Sequence, residues 1–322
     1  MGTAILRRYV LLGPIGQGGV SVVYQAVDSV TAQVLAVKVL APTLVGDARA
    51  RENVRREALI TDRLRHPSVP KVYDYGDAPL PDGTVVPYVV MELLTGVALA
   101  GRLAGGGPLP WRQAVAAAAT VADVLAVAHR RGVVHRDLTP HNIMMTRAGL
   151  KIIDFGLATT VDPQPRPAGG QQPFLRPAGR RRPTIPRHPV TSANLPADDV
   201  YALGILLYQM LTGRSPYPAA TPGDYLAAGR LRSLAPTPVL VVPGLPSAVA
   251  DICRACMSKR QADRPASAEV ALALWDLIAE RPRTLATAPR LAGPPLAAAP
   301  LLAAAPPLLV APAPPRLALA PA

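Results

Sequence analysis

The chain has 322 residues, and because only 4% of them are aromatic, leucine, valine and alanine must fill most of any core. Its length allows a two-lobed domain of ~270 residues followed by a tail. A net charge of +13 would suit a nucleic-acid binder, but the arginines are scattered and no nucleic-acid-binding motif occurs, so we rank that function far behind the others.

A glycine-rich loop lies between two strand-like runs at residues 9–12 and 22–27. Its sequence is GQGGVS, in which Gly16 and Gly18 allow backbone amides to approach phosphate groups closely. Ser21 adds a side chain at the third position of this loop. Taken alone, the loop fits a glycine-rich hairpin about as well as a nucleotide site.

An apolar run at residues 34–40 contains one charged side chain, that of Lys38. The chain has four lysines against thirty arginines, so a lysine here indicates that a compact ammonium group is needed, as for touching α- and β-phosphates. The alternative is a lysine at a strand edge whose head group extends into solvent. The motif context favours the phosphate contact.

Residues 47–65 predict a helix, with Asp47 near its start and Pro67 beyond its end. This helix carries two acidic candidates for a partner of the strand lysine, Glu52 and Glu57. A further apolar strand is predicted at residues 88–94. On these residues alone, it could be an ordinary buried strand.

The densest motif is HRDLTPHN at residues 135–142, followed seventeen residues after Asp137 by DFG at residues 154–156. Asp137 supplies a carboxylate that can accept a hydroxyl proton, and Asn142 supplies an amide oxygen for a metal ion. Asp154 supplies a second carboxylate for the metal ions that bridge a nucleotide's phosphates. Together these groups predict phosphoryl transfer.

The order of these motifs strongly resembles that of the protein kinase family, from about residue 9 to about residue 280. The segments GQGG, RREA, HPSV and YALGILLYQMLTGRSPY are most similar to the eukaryotic-like serine/threonine kinases of bacteria. The resemblance implies an α+β, bilobal fold with a small β-rich N-lobe and a larger helical C-lobe. It also implies ATP and Mg²⁺ as cofactors and a protein with serine or threonine hydroxyls as substrate.

The resemblance implies a role for each site residue. Asp137 is the expected catalytic base, and Asn142 and Asp154 are the expected Mg²⁺ ligands. Lys38 is expected to contact phosphates while paired with Glu57; the competing Glu52 is better suited to a solvated helix face. The other residues expected to bind ATP are Gly16, Gly18, Ser21, Val23, Ala36, the gatekeeper Met91, and Glu92 and Leu94 of the hinge.

The second half of the chain predicts helices at residues 111–131, from residue 198 to about 212, and at 267–280. In the family, the aspartate that matches Asp199 anchors the catalytic-loop backbone, while a helix N-cap is the alternative role for Asp198 or Asp199. Cys253 and Cys256 occupy another predicted helix. We expect them to be core thiols, because a zinc site needs four ligands.

The expected organisation is an N-terminal extension at residues 1–8, a kinase domain at 9–281 with lobes at about 9–92 and 97–281, and a tail at 282–322. Eight prolines in the uncharged stretch 291–315 leave no helical run long enough to cross a bilayer. A disordered Ala/Pro/Leu-rich tail without a membrane span is therefore expected. The lack of a secretory signal indicates a cytoplasmic protein.

Two departures from the family concern activity. Thr139 occupies the position where these kinases usually carry a lysine that helps to hold the transferring phosphate, so a ~10²-fold loss of rate is expected if nothing compensates. The family's APE tripeptide is also missing from the activation segment at residues 157–197, where half of residues 162–189 are proline or arginine. This composition predicts disorder.

An out-of-frame segment is a second explanation for that composition, and compensating base shifts near codons 163 and 188 of the coding DNA would reveal it. Without an APE glutamate, Arg264 is expected to be exposed or paired elsewhere, unless a residue such as Asp198 replaces that glutamate. Arg136 before the catalytic aspartate marks kinases in which an arginine can pair with a phosphorylated activation segment. The candidate sites for such autophosphorylation are Thr184, Thr191 and Ser192.

The sequence therefore predicts a serine/threonine protein kinase, with reduced activity as one outcome. The alternative is an ATP-binding pseudokinase that works as a scaffold. Retention of the phosphate lysine, the catalytic aspartate and both metal ligands favours catalysis. Thr139 and the irregular activation segment favour the scaffold.

Overall fold

The computed structural model describes residues 4–18, 21–41, 44, 46–79, 83–155, 159–160, 196–217 and 236–279. The chain divides into two compact units, Met1–Arg281 and Pro282–Ala322, and every described residue lies in the first. Of the predicted activation segment, only residues 159–160 and 196–197 are described. The predicted tail lies outside the described residues, as do Thr184, Thr191 and Ser192.

Six antiparallel strands form the sheet of the N-terminal lobe, in the order β1-β2-β3-β4-β6-β5. They are β1 (Ala4–Ile5), β2 (Tyr9–Gln17), β3 (Ser21–Asp28), β4 (Val34–Leu40), β5 (Val72–Pro79) and β6 (Val85–Met91). Valine and other branched residues dominate β3, β4 and β6, which suits a half-buried pleated surface. The strands predicted around the glycine loop and at residues 34–40 are confirmed.

One helix, α1 (Ala48–Leu64), packs on this sheet. Asp47 is its N-cap, because the side chain accepts hydrogen bonds from the amides of Arg49 and Ala50. The helix ends at a left-handed Arg65 with φ of +33°. Ala50, Val54 and Ala58 recur every four residues and are buried, so the helix presents one face to the sheet.

The second lobe is mainly helical. Its described helices are α2 (Leu99–Gly106), α3 (Trp111–Arg130), α4 (Pro196–Thr212), α5 (Ser247–Cys256) and α6 (Ser267–Ala279). Its short strands are β7 (Gly96–Ala98), β8 (Val133–Val134), β9 (Ile143–Thr146), β10 (Gly149–Ile152) and β11 (Thr159–Thr160). β10, β9 and β7 form one sheet, and β8 pairs with β11. The predicted bilobal α+β fold is confirmed.

α3 is the central helix of this lobe and packs against α4 and α6. Its buried side chains are mostly alanine and valine, which let neighbouring helices approach closely where aromatic residues are scarce. Among the described helices, α3 alone is long and apolar enough to cross a membrane, yet 56% of that apolar stretch is buried inside the lobe. Its place at the centre of the core accounts for its apolar character.

α4 and the end of α5 pack closely at Gly204. A Cβ atom on this glycine would lie 2.8 Å from the Cβ of Cys256 and 2.7 Å from the Cγ of Met257. The thiols of Cys253 and Cys256 are free and buried, and burial raises the pKa of each to about 12. The prediction that both cysteines are core thiols is confirmed.

Candidate active site

Three charged groups meet between the sheet and the second lobe. The Nζ atom of Lys38, on β4, lies 2.6 and 2.7 Å from the two carboxylate oxygens of Glu57, on α1. It also lies 3.5 Å from Oδ1 of Asp154. Lys38 and Glu57 are each 8% exposed, whereas Glu52 is on the outer face of α1, 3.7 Å from Arg56. The structure therefore brings Lys38 to Glu57 and not to Glu52.

The glycine loop and the neighbouring strands form the upper wall of this site. The amide of Gly18 donates to the carbonyl of Ser21 at 2.8 Å, and the Ser21 side chain is buried at the start of β3. The other predicted ATP-binding residues of the sheet are placed in register, with Gly16 opposite Val23, Val23 opposite Lys38, and Ala36 opposite Met91. These pairings align the loop, the lysine strand and the predicted gatekeeper.

The hinge leaves the sheet at Met91, the last residue of β6. The amide of Glu92 donates to the carbonyl of Lys71 at 2.8 Å. The amide of Glu92 is therefore already used within the fold. Leu93 and Leu94 follow in non-strand backbone and are half-buried.

The catalytic loop brings Asn142 to Asp137. The Nδ2 atom of Asn142 donates to the carbonyl of Asp137 at 2.8 Å and to its Oδ2 atom at 3.2 Å. Because Nδ2 is occupied, the amide oxygen is the atom of Asn142 that can face a metal ion. The carbonyl of Asn142 accepts from the amide of Ile153 at 2.9 Å, which ties the loop to the residue before Asp154.

Asp154 is held in an unusual backbone conformation, with φ of +69°. Left-handed backbone is uncommon outside glycine, although aspartate tolerates it better than most residues. Its side chain is 46% exposed, so one carboxylate oxygen can face a ligand while the other lies near Lys38. Strained backbone of this kind is frequent at functional sites.

Asp199, at the start of α4, holds the backbone of the catalytic loop. Its Oδ2 atom accepts from the amide of His135 at 2.7 Å, and its Oδ1 atom accepts from the amide of Arg136 at 2.8 Å. Arg136 has φ of +68°, so these two bonds stabilise a strained conformation next to Asp137. The alternative role of Asp199 as an N-cap is wrong, because α4 already begins at Pro196.

His129 joins this anchor to α6. Its Nε2 atom lies 2.9 Å from Oδ2 of Asp199, and its Nδ1 atom lies 2.9 Å from Oγ of Ser267. His129 therefore links the buried carboxylate of Asp199 on α4 to Ser267 at the start of α6. Neither His129 nor Ser267 was predicted from the sequence, since nothing in their local pattern indicates a contact across 138 positions.

His135 is fully buried against Phe155, with the ring centroids 4.7 Å apart. Burial lowers the pKa of the imidazole and outweighs the nearby carboxylates, so the ring is neutral at physiological pH. Its Nδ1 atom accepts from the amide of Asp137 at 3.3 Å. Within the part of the chain that the structure describes, its Nε2 atom has no hydrogen-bond partner.

Arg264 was expected to be exposed or paired elsewhere, unless a residue such as Asp198 replaced the glutamate, and its side chain is only 8% exposed. The guanidinium lies 3.3 Å from Oδ1 of Asp198, and it also donates to the carbonyls of Ala197 and Ser258. The alternative named above, in which Asp198 replaces the missing glutamate, is the arrangement found. Arg264 also stacks over the ring of Tyr201, 4.7 Å from its centroid.

The ligand atoms available for a metal are one carboxylate, from Asp154, and one amide oxygen, from Asn142. Among the described residues, no group of three His, Cys, Asp or Glu side chains could hold a metal ion by itself. Mg²⁺ is commonly held by one or two protein oxygens, with substrate phosphates and water completing the shell. The residues present therefore fit a Mg²⁺ ion that arrives with a nucleotide.

A family model described as protein kinase domain matches residues 9–275. A probable serine/threonine-protein kinase of Corynebacterium efficiens is 36% identical over 228 residues, covering 68% of this chain and 33% of that protein. Serine/threonine-protein kinase PknA of Mycobacterium tuberculosis is 32% identical over 265 residues, covering 82% of this chain and 59% of that protein. The chain thus spans between 33% and 59% of the length of these two relatives.

Proposed function

This chain belongs to the protein kinase family, and on that premise we propose that it transfers the γ-phosphate of ATP to serine and threonine hydroxyls of proteins. The observation that supports this most is the convergence of Asp137, Asn142 and Asp154 beside a Lys38–Glu57 ion pair. That set combines a base, two metal ligands and a fixed cation. All five residues were proposed from the sequence for these roles.

Lys38 supplies a fixed positive charge for the phosphates. Burial alone would lower the pKa of this lysine, but the charges of Glu57 and Asp154 outweigh that effect and leave the pKa raised. The ammonium group therefore stays charged. Both carboxylate oxygens of Glu57 accept hydrogen bonds from this ammonium group, so the position of the positive charge is set before a nucleotide binds.

Asn142 and Asp154 are the residues that would hold Mg²⁺, which, when bound, neutralises phosphate charge during transfer. The Asp154 side chain is 46% exposed, and its Oδ1 atom lies 3.5 Å from the Nζ atom of Lys38. Asp137 accepts the proton of the attacking hydroxyl. Its carboxylate is oriented by the amide group of Asn142, so the base and a metal ligand share one hydrogen bond.

The nucleotide is proposed to lie between the glycine loop and the hinge. Gly16, Gly18 and Ser21 would approach the phosphates, while adenine would lie between the sheet and the hinge. The residues proposed to contact adenine are Val23, Ala36, Met91, Glu92 and Leu94. Protein substrates, autophosphorylation and a cytoplasmic location, where ATP is supplied, are parts of the same proposal.

The test is incubation of the purified chain with radiolabelled ATP, Mg²⁺ and a generic protein substrate. Wild type should label the substrate, and Asp137→Asn should lose about three orders of magnitude of that rate, as expected when a positioned base is removed. Asp251→Asn is the matched control, because this aspartate is 61% exposed on α5 and should leave the rate unchanged. Binding of Mg-ATP without any labelling by wild type would instead support the scaffold.

A further inference from the structure

The structure assigns a positioning role to Lys151 and Glu92, which we infer to form a clasp between the hinge and the strand that leads to Asp154. The Nζ atom of Lys151, on β10, lies 2.7 Å from the Oε2 atom of Glu92. Lys151 stands three residues before Asp154, and Glu92 directly follows Met91. The inference rests on the proposed function, since its purpose is to set the distance between the two ends of the nucleotide site.

The Lys151 side chain is mostly withdrawn from water, with 12% of its surface exposed. A buried ammonium group requires a partner, and the 31% exposed carboxylate of Glu92 supplies one. Lys151 is also one of only four lysines in a chain with thirty arginines. A retained lysine at this contact is consistent with a compact point charge that reaches a single oxygen.

Backbone hydrogen bonds hold Glu92 in place independently of Lys151. Its Oε2 atom accepts from the amide of Lys71 at 3.2 Å, while the amide of Glu92 donates to the carbonyl of Lys71. These two bonds hold the first hinge residue against the chain that enters β5. These backbone hydrogen bonds therefore fix the position of Glu92. Its carboxylate is the partner of the Lys151 ammonium group.

The residues around Lys151 are held as firmly. The amide of Ile152 donates to the carbonyl of Ser68 at 2.7 Å, and the amide of Ile153 donates to the carbonyl of Asn142. The segment from Lys151 to Asp154 thus contacts the hinge, the loop after α1 and the catalytic loop within four residues. Of these three contacts, only the one with Glu92 is made by side chains, so substitution can remove it selectively.

This geometry makes the clasp a link between adenine and the metal ligand. The hinge residues are proposed to hold adenine, while Asp154 is proposed to hold the metal on the phosphates. If the clasp is broken, each end can still bind its own group, but the distance between them is less well defined. A ligand that spans both ends should therefore lose more affinity than a ligand that uses the hinge alone.

The experiment compares adenosine and Mg-ATP affinities by calorimetry for the full chain and its variants. Lys151→Met should weaken Mg-ATP binding about tenfold and adenosine binding less than twofold. A merely destabilised fold would weaken both ligands together. The double variant Lys151→Glu with Glu92→Lys restores opposite charges and should recover part of the Mg-ATP affinity.

Lys71→Met is the matched control, because it removes an exposed ammonium group 5.1 Å from the ring centre of Tyr73 and leaves in place the backbone amide and carbonyl of residue 71 that bind Glu92. Its Mg-ATP affinity should equal that of wild type. Lys151→Met with unchanged Mg-ATP affinity, or with equal losses for both ligands, would overturn the clasp and leave the proposed function intact. A wild-type chain that binds no Mg-ATP would overturn both.

Discussion

Arg264 and Asp198 form an ion pair that lies entirely within the second lobe, with Nη1 3.3 Å from Oδ1. In the family that the sequence resembles, the matching arginine is expected to pair with a glutamate of the activation segment. Here the partner belongs to α4, and two further bonds go to the carbonyls of Ala197 and Ser258. The arginine therefore does not depend on an APE glutamate for a partner.

Arg264→Ala should lower the free energy of unfolding by about 2 kcal/mol, because two carbonyls lose their donor and a stacked side chain disappears. The loss should stay below that of a fully buried ion pair, since Asp198 is 40% exposed and water can solvate it. Denaturant titration measures the change. Arg260→Ala is the control, because that arginine is 85% exposed, and it should change stability by less than about 0.5 kcal/mol. Equal effects of the two variants would contradict the structure.

Glu57→Gln should lower kcat/KM for ATP by about ten- to a hundredfold, because Lys38 loses the charge that holds it in place. Steady-state kinetics with varied ATP measures this. Glu52→Gln alters the competing glutamate of the same helix, which is 57% exposed, and should stay within about twofold of wild type. A larger loss for Glu52→Gln than for Glu57→Gln would reverse the assignment.

Thr139→Lys should raise the phosphoryl-transfer rate, by about tenfold or more, because it returns a positive charge to a position beside the catalytic base. The measurement is single-turnover transfer from labelled ATP. Combining Thr139→Lys with Asp137→Asn provides the control, since the new lysine should not rescue a missing base. An unchanged rate in the single variant would indicate that another group already supplies the charge.

Stability should depend on pH through His135. Its pKa is lowered in the folded state, whereas an unfolded histidine titrates near about 6.5. The contribution of the neutral His135 ring to stability is therefore complete above about pH 6.5 and is lost as the pH falls towards the folded-state pKa. As the pH is lowered from about 7.5 to about 5.5, His135→Phe should therefore lose less stability than wild type. Chemical denaturation at both pH values tests this, with His141→Gln, an exposed site, as control.

Incubation with ATP and Mg²⁺ should phosphorylate at least one of Thr184, Thr191 and Ser192. Arg136 is exposed beside Asp137 and is available to pair with such a phosphate. Phosphopeptide mapping identifies the sites, and the Asp137→Asn protein shows whether the chain modifies itself. Modification found only outside residues 157–197 would argue against regulation through Arg136.

The sequence predicted well wherever chemistry is carried by a contiguous motif. The base, the metal ligands and the lysine strand are recognisable because each stands within a short run whose composition and order are specific. The helix at residues 111–131 was predicted from its apolar stripe. The helix at residues 267–280 was predicted because the segment resembles the end of a kinase C-lobe. The β1 pairing and the short helix α2 were not predicted, since two to eight residues give too little pattern.

Contacts between distant segments could not be predicted in the same way. Asp198 and Asp199 are adjacent in the chain, yet one binds Arg264 and the other binds the catalytic loop. Both fit an N-cap equally well in sequence, and only the tertiary arrangement of α4 separates them. The Lys151–Glu92 contact was missed for the same reason, although the rarity of lysine in this chain was a signal that could have indicated it.

The anchoring of the catalytic loop by Asp199 also bears on how the chain folds. The carboxylate of Asp199 accepts hydrogen bonds from two amides that lie 64 and 63 positions away in the chain. The contact between His129 and Ser267 joins residues that are 138 positions apart. Contacts between residues far apart in the chain form late, because closing the intervening loop costs conformational entropy before the contact can stabilise the fold. The strand pairings of the N-lobe sheet span at most 55 positions, from Ala36 to Met91, which is well short of the 138 positions between His129 and Ser267. During refolding, nucleotide-binding competence should therefore appear only in the slowest phase, after α4 and α6 have docked.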